Sequence, residues 1–238
     1  MIDVKDIQLK TMANIPYKFG SICIAPKSLK EIISEGFDRF YYCLRMVTLT
    51  KAQVFPTELL EIYEDFNLIE ALYSVEKFEF LDDYFDAFQY FLGHEISVEP
   101  NMVFKIGENT IASHDFDSIS QIIKIQNSLV TEEDEDFNPL NERVRLLKER
   151  MKKRKEKIAE LKSQSDDGGK LDFLEIVSIL SSKGNGINIH NVFDLNYFQF
   201  NDQFTRMKMV EDYEVNINAL MHDKIEPKNV VHWMSKRK

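Results

Sequence analysis

Apolar residues fall three and four positions apart along most of this chain, which is the spacing of one helical face. From Leu29 the pattern predicts a short helix through Ile32 and Ile33, entered after Pro26 and closed at Gly36. Phe40, Tyr41, Leu44 and Val47 mark a second helix over 37–50, and Leu59, Leu60, Tyr63 and Phe66 a third opened by Pro56. A fourth, over 75–92, carries Phe78, Leu81, Phe85, Phe88 and Leu92 and stops at Gly93. Residues 1–26 read as irregular or extended, punctuated by Pro16, Gly20 and Pro26.

After Gly93 the period changes to short alternation. Ile96-Ser-Val-Glu-Pro, Met102-Val-Phe-Lys-Ile and Thr110-Ile-Ala predict two or three short strands, a β-hairpin over 96–112 turning near Gly107 to Asn109. Asp115 or Asp117 is placed to cap a following helix over 116–129, with Ile119, Ile122 and Ile123 inward. Residues 1–130 thus read as a mainly α domain with a small β-hairpin insertion.

A seam follows. The acidic run 132–136 is too charged to fold alone and reads as a solvated loop. Pro139 opens a charged helix to about Leu161, with Leu140, Val144, Leu147, Met151, Ile158 and Leu161 on heptad steps and Arg154 filling the gap. The 163–169 stretch, SQSDDGG, has linker composition. The acidic run and this linker are expected to be the most mobile parts, since neither can bury enough apolar surface to offset ordering. Residues 171–238 form a C-terminal helical region: a short helix over 171–180, a Gly184-Asn-Gly turn, and a long helix from about Asp194. Tyr197, Phe200, Phe204 and Met207 share a face there, extended by Val210, Ile217 and Leu220; Pro227 allows a last turn before Trp233, the sole tryptophan. No solenoid period repeats.

Composition narrows the function. The formal charge of -10 argues against a general nucleic-acid binder, although 143–162 is rich in Lys and Arg. Glu142, Glu149, Glu156 and Glu160 interleave with those cations along a heptad seam, so a helical partner or self-association through 140–161 explains the segment better. No apolar run reaches the length of a membrane span, and Met1 leads into a polar segment rather than a signal peptide, so a cytoplasmic protein without a membrane partner is expected. Cys23 and Cys43 read as reduced core residues.

Catalytic chemistry finds little to use. Asp82, Asp83 and Asp86 have no histidine partner in sequence and read as a solvated face. The five histidines are isolated; His190, just before the long helix, reads as a capping or core hydrogen-bonding residue. Gly184-Asn-Gly lacks the Lys and Ser/Thr of a phosphate loop, and no nucleophile–base pattern occurs. A non-enzymatic protein with no cofactor and no metal is the expectation. Its partner-binding candidates are Phe198, Phe200, Phe204, Met207 and Trp233, because aromatics and Met bury large area at interfaces with few rotamers lost. Each could equally belong to the protein's own core, and Phe198 and Phe200, on two sides of the helix, could serve both ends.

Four landmarks then carry a family resemblance. They are Ile24-Ala-Pro-Lys-Ser-Leu-Lys-Glu-Ile-Ile followed by Phe40-Tyr-Tyr-Cys-Leu; Asp115-Phe-Asp-Ser-Ile leading into Gln121-Ile-Ile-Lys-Ile-Gln-Asn; Phe137-Asn-Pro-Leu-Asn-Glu-Arg; and Gly186-Ile-Asn-Ile-His-Asn-Val-Phe-Asp-Leu with Phe198-Gln-Phe-Asn-Asp-Gln-Phe-Thr-Arg-Met, closed by His232-Trp233. In this order the chain resembles the tail assembly chaperones of long-tailed bacteriophages, especially those of Gram-positive hosts. The resemblance implies a helper in the host cell cytoplasm that coats the long helical tape measure protein, recruits tail tube protein around it, and leaves before the virion is complete. The competing expectation is a structural tail or baseplate component retained in the virion.

Overall fold

The chain becomes helical earlier than its apolar spacing predicts. The Asp3 carboxylate accepts hydrogen bonds from the backbone N–H groups of Lys5 (2.9 Å) and Asp6 (3.2 Å) and so starts α1, Val4–Met12. The buried side chains of this helix are Ile7 and Thr11, and the Thr11 hydroxyl donates to the Ile7 carbonyl at 2.7 Å. A polar residue that satisfies itself within the helix occupies the inner face, so hydrophobic periodicity does not register it. The expected irregular start is therefore a helix, followed by a hairpin of β1, Tyr17–Phe19, and β2, Ile22–Ile24. Gly20, at φ +58°, makes the turn between them. Ile22 and Ile24 point inward and Cys23 outward; Cys43 is buried as expected, but Cys23 is exposed because strand side chains alternate.

The computed structural model describes residues 2–76, 78–99, 103–129, 171–222, 230 and 232–235. The acidic run 132–136, the charged helix of 139–161, the 163–169 linker and the turn expected at Pro227 lie outside the described residues.

Ser28, rather than Pro26, opens α2, Leu29–Glu35, through a capping box with Glu31. Gly36, at φ +102°, is both its C-terminal cap and the start of α3, Phe37–Val47, a corner that a β-carbon would strain. Along α3, Phe40, Leu44 and Val47 are buried with Cys43 and Met46, while Tyr41 stays exposed. Two short helices follow, α4, Lys51–Val54, and α5, Thr57–Ile62. The Lys51 ammonium donates to the carbonyls of Tyr63 (2.9 Å), Glu64 (2.8 Å) and Phe66 (2.6 Å), oxygens that the end of α5 leaves over.

The helix expected over 75–92 begins three residues later than predicted, and a separate helix precedes it. Asn67 and Glu70 form a capping box that opens α6, Leu68–Ser74, and the chain turns at Glu76, φ +54°, before α7, Phe78–Leu92. The hairpin expected over 96–112 is a three-stranded antiparallel meander of β3, Ile96–Glu99, β4, Val103–Ile106, and β5, Asn109–Ile111, with Phe104 opposite both Val98 and Ile111. Helix α8, Asp115–Gln126, follows; the Asp115 carboxylate accepts from the Ala112 N–H at 2.9 Å.

The core forms where α7 packs on α3 and α6 and where α8 crosses α1 and α3. Its aromatic centre is Phe116, whose ring lies 5.0 Å from Phe88, 5.2 Å from Phe104 and 5.8 Å from Phe85, the first two edge-on. Two buried polar side chains of α8 pair with backbone: Ser120 Oγ donates to the Val47 carbonyl (2.5 Å) and Gln126 Nε2 to the Ile24 carbonyl (2.9 Å). The result is the mainly α fold with a small β element that the pattern predicts.

The two capping boxes predict a pH response. The Ser28 hydroxyl and N–H hold the Glu31 carboxyl below its ordinary value, and the Ser113 hydroxyl, at 2.6 Å, does the same for Glu70, aided by Asn67. A carboxyl depressed in the folded state adds stability above its unfolded value of 4.5, lost as pH falls through the lower folded value. Melting temperature should therefore fall as pH is taken below that value, and Glu70→Gln should flatten the fall. An unchanged slope in that variant would refute the assignment to Glu70.

Candidate functional site: the C-terminal helix and its socket

Contacts divide the chain into one unit of Met1–Leu129 with Ile179–Lys238 and another of Val130–Ser178. From Ile179 the chain falls in the same unit as the N-terminal helices. The reason is a polar socket built on one asparagine. After α9, Phe173–Lys183, the Gly184-Asn-Gly turn leads to a loop stitched by Asn188 and Asn191. Here Asn191 Nδ2 donates to the Gly186 carbonyl (2.9 Å) and the Asn188 side chain accepts from the His190 N–H (2.9 Å). The His190 side chain is exposed, so it neither caps the long helix nor joins the core. A 3-10 turn, Val192–Asp194, buries Val192, and the Leu195 carbonyl accepts from the Leu29 N–H at 2.8 Å.

Asn196 is fully buried and makes a complete set of bonds. Its Oδ1 accepts from the Gln199 N–H (2.9 Å) while its own N–H donates to Gln199 Oε1 (2.9 Å), a capping box that opens α10, Tyr197–Met221. Its Nδ2 donates to the Thr11 carbonyl (2.7 Å) and to Asn14 Oδ1 (3.2 Å). Gln199 Nε2 in turn reaches the Met12 carbonyl at 2.8 Å. The cap of α10 thereby satisfies the leftover carbonyls at the end of α1, and the opposed helix ends, partial positive against partial negative, favour the junction. Tyr197 adds a third tie: its hydroxyl lies 2.9 Å from that of Tyr41 and its ring 5.0 Å from Phe40. Burial, reinforced by that hydrogen bond, pushes the Tyr197 hydroxyl well above its ordinary pKa.

Beyond this socket α10 is a different object. Its buried residues are Phe198, Phe200 and Asp202, all in the first two turns, and nothing from Gln203 to Met221 is buried. At 1.5 Å per residue the 25-residue helix is about 37 Å long, so most of its length lies past its fixed end. Phe204, Met207, Met209, Val210, Tyr213, Ile217 and Leu220 are half-buried there, and Val215 and Met221 are exposed at 66% and 76%. The apolar positions do not continue one face. Phe204 and Ile217, thirteen places apart, project about 140° from each other at 100° per residue, so Val210, Ile217 and Leu220 drift away from the Tyr197–Phe204 face.

The sequence-predicted contact residues therefore separate into two groups. Phe198 and Phe200, 6% and 2% exposed, belong to the protein's own core. Phe204 and Met207 lie on the half-buried stretch, and Trp233 is 38% exposed. Lys183 pairs with Glu211, and Lys208 Nζ lies 5.8 Å from the Phe204 ring centroid. Asn196, Gln199 and Arg206 are polar positions that apolar spacing does not mark. Asn196-x-x-Gln199 carried a usable signal, since it is a capping-box spacing just ahead of an apolar run.

A groove of about 340 Å³ is lined by Tyr73, Leu81, Phe85, Gln89, Ile96 and Val98 with the carboxylates of Asp82 and Asp86. Among the described residues no cluster of three or more His, Cys, Asp or Glu is placed to hold a metal ion, and no helix is long and apolar enough to cross a membrane.

The sequence model of one family, the YomV second domain, matches residues 162–238, about a third of the chain and all of α9 and α10. That family is phage-derived, so this third of the chain is similar to a phage-derived domain. No curated protein and no solved structure matches.

Proposed function

We propose that this protein is a non-enzymatic phage tail assembly chaperone, which uses the outer length of α10 to hold the tape measure protein in the host cytoplasm until tail tube subunits polymerise around it. One observation carries the reading: α10 is locked at its first turn by the buried Asn196 network and then presents many half-buried apolar residues without completing a core around them. An apolar stripe that winds round a helix suits a long helical client, because helices that wrap one another keep contact only where the stripe drifts with them. Met207 and Met209 add adaptable side chains for a client whose sequence varies along its length. The phage-derived family match covers this helix, and the order of landmarks along the chain supports the same reading.

Phe204 and Met207 give the test. Phe204→Ala with Met207→Ala should weaken capture of the co-expressed tape measure protein by about tenfold or more, which is about 1.4 kcal/mol, while the melting transition stays near that of the parent. Phe198→Ala and Phe200→Ala should instead lower the melting temperature, because their side chains are core. Capture that survives every substitution from Phe204 to Leu220 would defeat the proposal. The protein should also be missing from purified virions by mass spectrometry; stoichiometric presence would mark a retained tail component.

A further inference from the structure

We infer that residues 232–235 act as a built-in occupant of the docking helix, covering part of its apolar stripe until a client displaces them. This rests on the reading of α10 as the client-binding helix. Arg206, Met209 and Tyr213 stand three and four positions apart and so share one side of α10. The C-terminal segment lies against that side. Arg206 Nη1 donates to the Trp233 carbonyl (3.0 Å) and the Ser235 carbonyl (3.2 Å) and lies 3.9 Å from the Met209 sulfur. The His232 imidazole sits 4.9 Å from the Tyr213 ring.

The way the segment is held makes it displaceable. It closes on itself as a turn, with the Met234 N–H donating to His232 Nδ1 (3.1 Å) and the Ser235 N–H to the His232 carbonyl (2.9 Å). Among the described residues its attachment to α10 is one guanidinium gripping two backbone carbonyls plus one imidazole on one tyrosine. The large side chains are only partly covered, Trp233 staying 38% and Met234 66% exposed. The fixed end of α10 uses a fully buried asparagine with every polar atom paired, so releasing the segment leaves the helix anchored. A client seated along Met209 and Tyr213 meets the segment on the same stripe, and the two compete. Trp233 is then part of the cover rather than a client contact, which reverses the sign expected of its neighbourhood in a binding assay.

The test uses the full chain and two variants that open the contact from opposite sides, His232→Ala on the segment and Arg206→Gln on the helix. His232 is exposed, so the first variant should keep the parental melting curve. Trp233, the sole tryptophan, reports the segment directly. Acrylamide quenching of its fluorescence should rise in both variants, and both should bind more anilinonaphthalene sulfonate as the stripe is uncovered. His232→Ala should tighten capture of the tape measure protein by about three- to fivefold, because a competing closed state no longer lowers the binding-competent fraction. Unchanged dye binding, or weaker capture by His232→Ala, overturns the inference even where the parent protein captures the client. Raised dye binding with no capture by parent or variant defeats the docking reading instead and leaves the covering contact standing.

Discussion

Asn196→Ala is expected to lower stability by about 2–4 kcal/mol, combining a lost helix cap with buried polar groups left unpaired. The substitution removes the acceptor for the Gln199 N–H and both donors toward Thr11 and Asn14 at a fully buried position. For a chain of this size each kcal/mol shifts the melting temperature by about 2–4 °C, so the loss is easy to read by calorimetry. Asn196→Asp is the sharper experiment. It retains a cap acceptor but turns an oxygen toward the Thr11 carbonyl and Asn14 Oδ1, so it should be at least as damaging as alanine. Parental stability in the aspartate variant would show that the Nδ2 donors do not hold the two ends of the chain together.

Phe116→Ala should cost about 3–5 kcal/mol, the range for truncating a buried aromatic side chain. Its ring is the meeting point of α7, α8 and the β3–β5 meander through Phe85, Phe88 and Phe104, so the void has walls on three sides and collapses poorly. Phe116→Leu should recover much of the loss by refilling volume. Chemical denaturation with a two-state fit measures both. A loss below about 1 kcal/mol for the alanine variant would mean that the aromatic centre is looser than its ring distances imply.

The two substitutions should also differ in their effect on α10. Loss of Asn196 frees the fixed end of the helix and should speed amide exchange over Tyr197–Phe200 more than over α7. Phe116→Ala acts on the core that α7, α8 and the meander share.

Several elements were legible because one side chain type decided them locally. The helices at Leu29 and Phe37 and the helix ending at Gly93 follow from apolar residues three and four apart, and the strands near 96–111 from alternation between turn residues. Others were hidden for identifiable reasons. Helix α1 buries Thr11 on its inner face, which hydrophobicity does not count. The turn at Glu76 uses a left-handed residue that need not be glycine, so nothing in the apolar pattern marks why the helix waits until Phe78. The candidate site shows the same division. Phe198, Phe200, Phe204 and Met207 stand out in the sequence as equivalent, yet the first pair faces inward and the second lies along the outer helix.

The sequence by itself determined the mainly α class, the small meander and the existence of a long aromatic C-terminal helix, since periodicity, caps and turn residues act over a few positions. Only the tertiary structure decided that this helix starts inside the N-terminal unit, which of its aromatics are core, and that Arg206 holds the Trp233 segment against it. Those outcomes depend on hydrogen bonds and ring contacts between residues 27 to 187 positions apart, such as Arg206 with Trp233 and Gln199 with Met12. No local pattern encodes such pairings: a buried Asn and an exposed Asn look alike until the chain brings a carbonyl to one of them.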